Sequence, residues 1–262
     1  MSRIRQPAIA CPRFSAPVTT LTYDFPDGQA VPLHYHHEDQ LVYACRGVMN
    51  VQTSEGTWVV PPQRAVWIPA KVPHSIVMSG PVSMRTLYLR ARLVRSLPRS
   101  CCVVNVSPLL KELILHACKF PALTRRTGVQ AHLVDVIVDQ LETVPSIPLQ
   151  LPNPTDRRAV RVAEALSNDP SDQRPLEEIC ESTGASKRTI ERLFQLETHM
   201  TLGEWRRQLR LLRSMPLVAA GAKITHVALE AGYSTPSAFI AMFRRVLGAT
   251  PGRYFGRPTE KV

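Results

Sequence analysis

The sequence predicts an α+β chain of two domains, a β-barrel or sandwich followed by an all-α half that carries two helix-turn-helix units. Three observations support this. From Thr20 to Leu93 short β-rich runs alternate with turn residues, and beyond Thr155 every periodic segment has helical spacing. Between them, Val144-Pro-Ser-Ile-Pro-Leu-Gln-Leu-Pro-Asn-Pro-Thr155 offers no period that a helix or a central strand could use, because each proline removes a donor and fixes its own φ. A length of 262 residues suits one large or two ordinary domains. At 44% hydrophobic and 20% charged, the composition excludes a disordered or fibrous chain.

In chain order, the candidate strands are Leu41-Val-Tyr-Ala-Cys45, Val48-Met-Asn-Val-Gln-Thr53, Thr57-Trp-Val-Val60, Ala65-Val-Trp-Ile68, Ser75-Ile-Val-Met78 and Arg85-Thr-Leu-Tyr-Leu89. Asp27-Gly28, Arg46-Gly47, Glu55-Gly56 and Ser79-Gly-Pro81 stand where hairpin turns are needed. The barrel is expected over residues 1–98. After Pro98 the period changes: Leu109, Leu110, Leu113, Ile114 and Ala117 fall at helical spacing, as do Leu133, Val136, Ile137, Gln140, Leu141 and Val144. These two connecting helices, within 99–143, could pack on the barrel or form a dimer contact, and the stripes leave both open. The proline-rich stretch 144–155 reads as an interdomain linker. In the helical domain, 156–262, Thr155 or Asp156 suits the cap of a helix carrying Val160, Val162, Ala163 and Leu166. Asp172-Gln-Arg-Pro175 then supplies a cap and a first-position proline for Leu176 to Thr183.

Two segments repeat one grammar. In the first, Leu176 and Ile179 face inward, with small Cys180 where two helices cross closely, and Gly184 can take the positive φ of a tight turn. Ser186 then caps a second helix whose Ile190, Leu193 and Phe194 face the core while Lys187, Arg188, Glu191 and Arg192 face out. In the second, Ile224-Thr-His-Val-Ala-Leu-Glu-Ala231 is the first helix and Gly232 the turn. Ser234 caps a helix burying Phe239, Phe243 and Val246, with Arg244 and Arg245 at its far end. A helix-turn-helix offers its second helix to the major groove. Between the units, Thr201 to Arg213 is an amphipathic helix with Trp205, Leu209 and Leu212 inward and Arg206, Arg207, Arg210 and Arg213 on other faces.

Gly184-Ala-Ser-Lys-Arg-Thr-Ile-Glu-Arg-Leu-Phe194, Ala228-Leu-Glu-Ala-Gly-Tyr-Ser-Thr-Pro-Ser-Ala-Phe239, Phe243-Arg-Arg245 and Gly248-Ala-Thr-Pro-Gly-Arg-Tyr254 resemble the DNA-binding domain of AraC/XylS-type transcriptional regulators, over about Val160 to Phe255. The resemblance implies that one chain places two recognition helices in successive major grooves. The candidate DNA-binding set is Ser186, Lys187, Arg188, Glu191, Arg192, Ser234, Ser237, Arg244 and Arg245. Arg188, Glu191 and Arg192 match the family's base-reading positions: arginine can grip guanine O6 and N7, and glutamate can accept from cytosine N4. The second recognition helix shows Pro236, Ser237, Ala238, Ile240 and Ala241, which are poor in donors. It is expected to touch thymine methyls and to anchor phosphate through Arg244, Arg245 and helix N-terminal amides. Pro216 departs from the family pattern, because a proline inside the connecting helix costs about 3 kcal/mol and kinks or ends it.

In the first half, His34-Tyr-His-His-Glu-Asp-Gln40, Gly47 and Pro69-Ala-Lys-Val-Pro-His74 resemble the two motifs of the cupin β-barrel. Histidines at i and i+2 on a strand share a face, where His74 can meet them. Gln40 stands where the family usually has Glu, and a neutral amide is a weaker metal ligand. Three readings stay open. His34, His36, Gln40 and His74 bind a small effector or are satisfied core groups without metal; or the same four hold a divalent transition metal that helps to hold the effector; or the chain is a metal-dependent cupin enzyme with an appended helical domain. The DNA-binding half speaks against catalysis, and no catalytic residue is assigned. Tyr43, Arg64 and Trp67, with Met49, Trp58 and Met78, are candidates to line an effector pocket suited to a partly apolar or heteroaromatic molecule. Ordinary core packing, or for Arg64 a surface position, is the competing reading.

The chain carries 32 Lys+Arg against 21 Asp+Glu, a formal +11 that fits a polyanionic partner such as double-stranded DNA. The surplus divides as +6 over residues 1–150 and +5 over 151–262, so the placement of charge, not its total, points to DNA. Cysteines 11, 45, 101, 102, 118 and 180 contain no CxxC pair, which suits reduced thiols in a cytoplasmic protein. Neither a run of about 18 apolar residues nor an apolar N-terminal leader is present, so no membrane partner is expected. The expected protein is a cytoplasmic one-component regulator with an operator, a small effector and, if it activates, RNA polymerase as partners. The resemblance implies a homodimer.

Overall fold

The computed structural model describes residues 16–125, 128–144, 146–147 and 149–255; Cys11 and the outer ends of the two expected domains lie outside them. The first half is built on three long strands, β1 (Val18–Phe25), β3 (Asp39–Thr53) and β6 (His74–Leu89). Around them run β2 (Ala30–His34), β4 (Gly56–Val60), β5 (Arg64–Ile68), β7 (Cys102–Asn105), β8 (Ala122–Leu123), β9 (Ser146–Ile147) and β10 (Gln150–Pro152). Pairing follows β8-β1-β6-β3-β5-β7-β9, with β2 on β6, β4 on β3 and β10 on β4. Among the described residues this sheet is open, without the hydrogen-bonded ring of a closed barrel. β3 and β6 pair from Asp39↔Leu89 to Gln52↔Ser75, and the register shifts on both sides of Arg46. Such bulges bend and twist a strand. Gly47 is required there: its φ is +78°, and a Cβ would stand 2.4 Å from the Pro81 carbonyl oxygen.

Alternation sorts the sheet's side chains into two layers. Val42, Ala44, Met49, Val51, Ile76, Met78 and Met84 join one buried cluster on the inner face. Leu41, Tyr43, Ala65, Trp67, Leu87 and Leu89 join another, covered by α1 (Pro108–Ala117) and α2 (Gly128–Glu142) through Leu110, Ile114, Val134, Ile137 and Leu141. The connecting helices therefore pack on their own sheet. Two members of the expected stripes, Leu109 and Val136, are instead exposed.

The proline-rich stretch is not a free tether. β9 pairs with β7 and β10 with β4, so the segment extends the sheet at its margins, where a strand tolerates a proline's missing donor. With β7 and β8, these strands carry the sheet well past residue 98.

The second half consists of α3 (Arg157–Asn168), α4 (Leu176–Ser182), α5 (Lys187–Thr198), α6 (Leu202–Ala219), α7 (Ile224–Glu230), α8 (Pro236–Leu247) and α9 (Pro251–Phe255). Asp156 caps α3 by accepting from Arg158 N at 2.9 Å. Pro175 occupies the cap position of α4 and not its first turn, and Asp172 is tied to Arg174 instead of capping the helix. Helix α6 does not end or break at Pro216: it continues to Ala219, and Ala220 N donates to the Pro216 carbonyl at 2.9 Å. Burial of Leu211, Leu212, Met215 and Val218 along this stretch outweighs the proline's poor propensity. No helix among the described residues is long and apolar enough to cross a membrane.

The two halves are docked. On α6, Trp205 Nε1 donates to the Pro152 carbonyl at 2.8 Å and Gln208 Nε2 to the Gln150 carbonyl at 3.2 Å. Arg64 from β5 lies over the Tyr254 ring of α9, 5.0 Å from its centroid.

Candidate sensor site and nucleic-acid interface

Three imidazoles meet at one end of the sheet. His34 closes β2 and His74 opens β6 as its direct cross-strand partner, while His36 lies on the loop that follows. Ring centroids are 4.3 Å apart for His34 and His74, 4.7 Å for His34 and His36, and 5.4 Å for His36 and His74. One nitrogen from each can be chosen so that all lie within 4.8 Å of one another. The frame around them is fixed. Lys71 N donates to the His36 carbonyl at 2.7 Å, and the buried Asp39 carboxylate accepts from Ala70 N and Arg92 N, both at 2.9 Å.

The electrostatics keep the rings of His36 and His74 neutral. Burial, reinforced by the neighbouring imidazoles His34 and His74, pushes His36 down to about 3. Burial pushes His74 down to about 4, against the opposing hydrogen bond to the Val72 carbonyl. His74 Nδ1 lies 2.9 Å from that carbonyl oxygen, and His34 Nδ1 lies 2.7 Å from the Pro32 carbonyl oxygen. A carbonyl accepts only from a protonated Nδ1, so the neutral His74 ring is left with a free lone pair on Nε2.

Gln40 shares the inner face with Val42 and Ala44. Its Nε2 donates to Thr86 Oγ1 at 3.2 Å, and that hydroxyl donates to the Leu41 carbonyl at 3.1 Å. Among the described residues, Gln40 Oε1, His36 Nε2 and His74 Nε2 are buried without a hydrogen-bond partner. An unsatisfied buried polar atom costs about 1–3 kcal/mol. These atoms belong to three of the four residues singled out as candidate ligands, and a carbonyl-anchored Nδ1 with a free Nε2 is how metal-binding histidines are commonly held. The residues therefore fit a divalent transition ion, with Gln40 a weaker, uncharged fourth donor.

Of the expected lining residues, Met49, Trp58 and Met78 join the inner-face cluster, whereas Tyr43, Trp67 and Arg64 do not reach this interior. Tyr43 and Trp67 alternate to the opposite face, under α1 and α2, where Trp67 Nε1 donates to the Pro98 carbonyl at 3.2 Å. Arg64 also points away: it donates to Asn105 Oδ1 at 2.5 Å and faces Tyr254. Tyr88 was not foreseen. It pairs across the strands with Gln40, and its ring lies 4.8 Å from that of His36. Only the β3–β6 register, invisible in local spacing, brings it there.

In the helical half, Ser186 caps α5 by accepting from Thr189 N at 3.3 Å, and Arg188 and Arg192 are exposed on that helix. Glu191 is engaged elsewhere: its Oε2 accepts from Leu202 N at 3.0 Å, which ties it to the start of α6 instead of leaving it free for a base. Lys187 forms an exposed ion pair with Glu177 at 2.6 Å. Thr235, not Ser234, caps α8, accepting from Ala238 N at 3.2 Å, and Pro236 takes the first helical position. Ser237, Ala238 and Ala241 are exposed, with Arg244 and Arg245 exposed in the last turn. Arg206 and Arg210 of α6, expected on outer faces, turn inward to backbone carbonyls.

Residues 17–151 match the AraC-like ligand binding domain, and residues 179–257 a helix-turn-helix domain. The chain belongs to the AraC family of transcriptional regulators. The HTH-type transcriptional regulator NimR of Escherichia coli is 32% identical over 228 residues, which is 87% of this chain and 83% of that one. RipA of Corynebacterium glutamicum is 37% identical over 113 residues, 43% of this chain and 33% of its own. Among solved structures, ToxT from Vibrio cholerae with bound unsaturated fatty acid aligns over 91% of this chain and 94% of that one, at 12% identity and a TM-score of 0.38. This AraC-family protein thus joins an N-terminal ligand-binding domain to a C-terminal DNA-binding domain.

Proposed function

We propose that this regulator is a cytoplasmic homodimer that senses a small effector through a divalent transition metal held by His34, His36, His74 and Gln40. The observation that carries the reading is the set His36 Nε2, His74 Nε2 and Gln40 Oε1, all buried without a hydrogen-bond partner among the described residues, with the three imidazoles clustered. The metal would give the effector a Lewis-acidic contact, and the neutral imidazoles of His36 and His74 are ready to ligate without first losing a proton. Zn(II), Ni(II) and Co(II) titrations of tag-free protein test this. One ion bound per chain, with Co(II) absorption bands that vanish in His74→Ala, is the expected result. Equal behaviour of wild type and His74→Ala would overturn it.

On the DNA side, α5 reads bases through Arg188 and Arg192, while α8 contributes apolar contacts and phosphate anchoring through Ser237, Arg244, Arg245 and its N-terminal amides. RNA polymerase joins as a partner where the regulator activates. Selection of bound duplexes from a random pool tests the division: equal information in both half-sites would refute it.

A second placement for the effector is favoured by a cavity of about 670 Å³ between Asn50, Gln52 and Ser79 of the sheet and Glu164, Leu209 and Arg213 of the helical domain. Sites of this size commonly sit between domains. Loss of the effector response in Ser79→Trp, with the metal still bound, would place the effector there.

A further inference from the structure

The arginines of α6 hold the two DNA-reading units together. The loop from Asp169 to Arg174 leads into α4, the first helix of the first unit. Arg206 donates to the carbonyls of Asp172 and, at 3.2 Å, Arg174. One turn on, Arg210 donates from Nε to the Pro170 carbonyl at 2.9 Å and from Nη2 to the Asp172 carbonyl at 2.8 Å. The same loop touches the second unit, for Gln173 Nε2 donates to the Gly232 carbonyl at 2.9 Å, in the turn between α7 and α8. Arg210 also lies 5.8 Å from the centroid of the Tyr233 ring.

Gly232 shows how tight this junction is. A Cβ there would stand 2.6 Å from Arg210 Nη2 and 2.9 Å from the Pro170 carbonyl oxygen, and its φ is +71°. The loop is therefore pressed between α6 and the second unit's turn. A guanidinium is a planar fork whose donors fix direction as well as distance. Here the acceptors are main-chain carbonyls, so the grip sets the course of the backbone.

We propose that Arg206 and Arg210 are positioning residues that set the separation of α5 and α8, and so the half-site spacing that this regulator accepts. They act through the Asp169–Arg174 loop and Gly232, not through phosphate. Each base pair inserted between half-sites displaces the second by ~3.4 Å along the duplex and turns it about the axis. A rigid pair of units rejects that change; a loosened pair accommodates it.

The experiment uses full-length protein and a duplex selected by the wild type from a random pool, together with versions one base pair longer and shorter between the half-sites. Wild type should strongly prefer the selected spacing. Arg210→Ala should bind the selected duplex roughly ten- to hundred-fold more weakly, because the second unit no longer engages at a favourable effective concentration. It should lose most of its spacing preference, while the slope of log affinity against log salt stays that of wild type. Arg245→Ala, as a phosphate contact, should lower that slope by about 1 and keep the preference. Should Arg210→Ala fail to fold by circular dichroism, Gln173→Ala, which removes a single hydrogen bond of the junction, carries the same test. A lower salt slope with the spacing preference intact, or no change in either, overturns the proposal.

Discussion

The two helix-turn-helix units share a backbone plan and differ in what it leaves exposed. Each turns on a glycine of positive φ, Gly184 at +83° and Gly232 at +71°, and each caps its second helix with a hydroxyl. Each buries an aromatic core: Phe194 against Trp205 in the first, Phe239, Phe243 and Tyr254 in the second. On the outside they diverge. Arg188 and Arg192 stand along α5, whereas α8 shows small side chains until Arg244 and Arg245 in its last turn. The surroundings of the turns differ too, since Gly184 has open space around it and Gly232 is enclosed by Arg210 and Pro170. Burial preserves the plan, and the chemistry of recognition rests on what burial does not constrain.

The hardest way to break the comparison is to remove the buried plan from one unit. Phe243 is fully buried, with ring contacts to Phe239 and Tyr254 at centroid distances of 5.8 and 5.6 Å. Phe243→Ala should cost about 3–5 kcal/mol, read by urea denaturation, and should abolish second-half-site protection before it affects the first. Loss of both half-sites together would show that the units fold as one.

A smaller effect separates the outer faces. Arg192→Ala should cost roughly 1–3 kcal/mol on the selected duplex and relax one base position. Arg245→Ala should weaken all duplexes alike and lower the salt slope by about 1. Competition binding against single-base variants checks both, and equal loss of discrimination in the two would erase the assigned difference between α5 and α8.

Local grammar was the legible part of this molecule. Glycine turns, caps and helical periods placed both units, and the resemblance to the cupin motifs singled out His34, His36, Gln40 and His74. What escaped depended on partners distant in the chain. Tyr43 and Trp67 satisfy the alternation of a strand equally well on either face, and only α1 and α2 decide which. Arg206 and Arg210 read as surface charge because their acceptors are carbonyls of the Asp169–Arg174 loop, which no side-chain pattern announces. Glu191 was legible as outward, but not as a partner for Leu202 N. The prolines of 144–155 ruled out a central strand correctly, yet they do not forbid strands at the sheet's margin.

The smallest test concerns one hydroxyl in each unit. In α5, Ser186 accepts from Thr189 N, and Ser186→Ala should cost about 1 kcal/mol, the usual worth of such a cap. By sequence spacing, Ser234 is its counterpart in α8, because each stands two residues after its turn glycine. The structure moves the cap one residue along: Thr235 has the extended φ of −140° and accepts from Ala238 N at 3.2 Å, while Ser234 lies before it and is exposed. Thr235→Ala should therefore cost about 1 kcal/mol and Ser234→Ala less than about 0.5 kcal/mol, both measured as shifts in urea midpoint at constant slope. The offset has a physical origin in Pro236, whose fixed φ and missing N–H suit the first helical position, so the residue immediately before it must be the cap. If Ser234→Ala proved the costlier of the two, α8 would begin one residue earlier, with Pro236 inside its first turn, and the two units would be true repeats in their caps as well as in their turns.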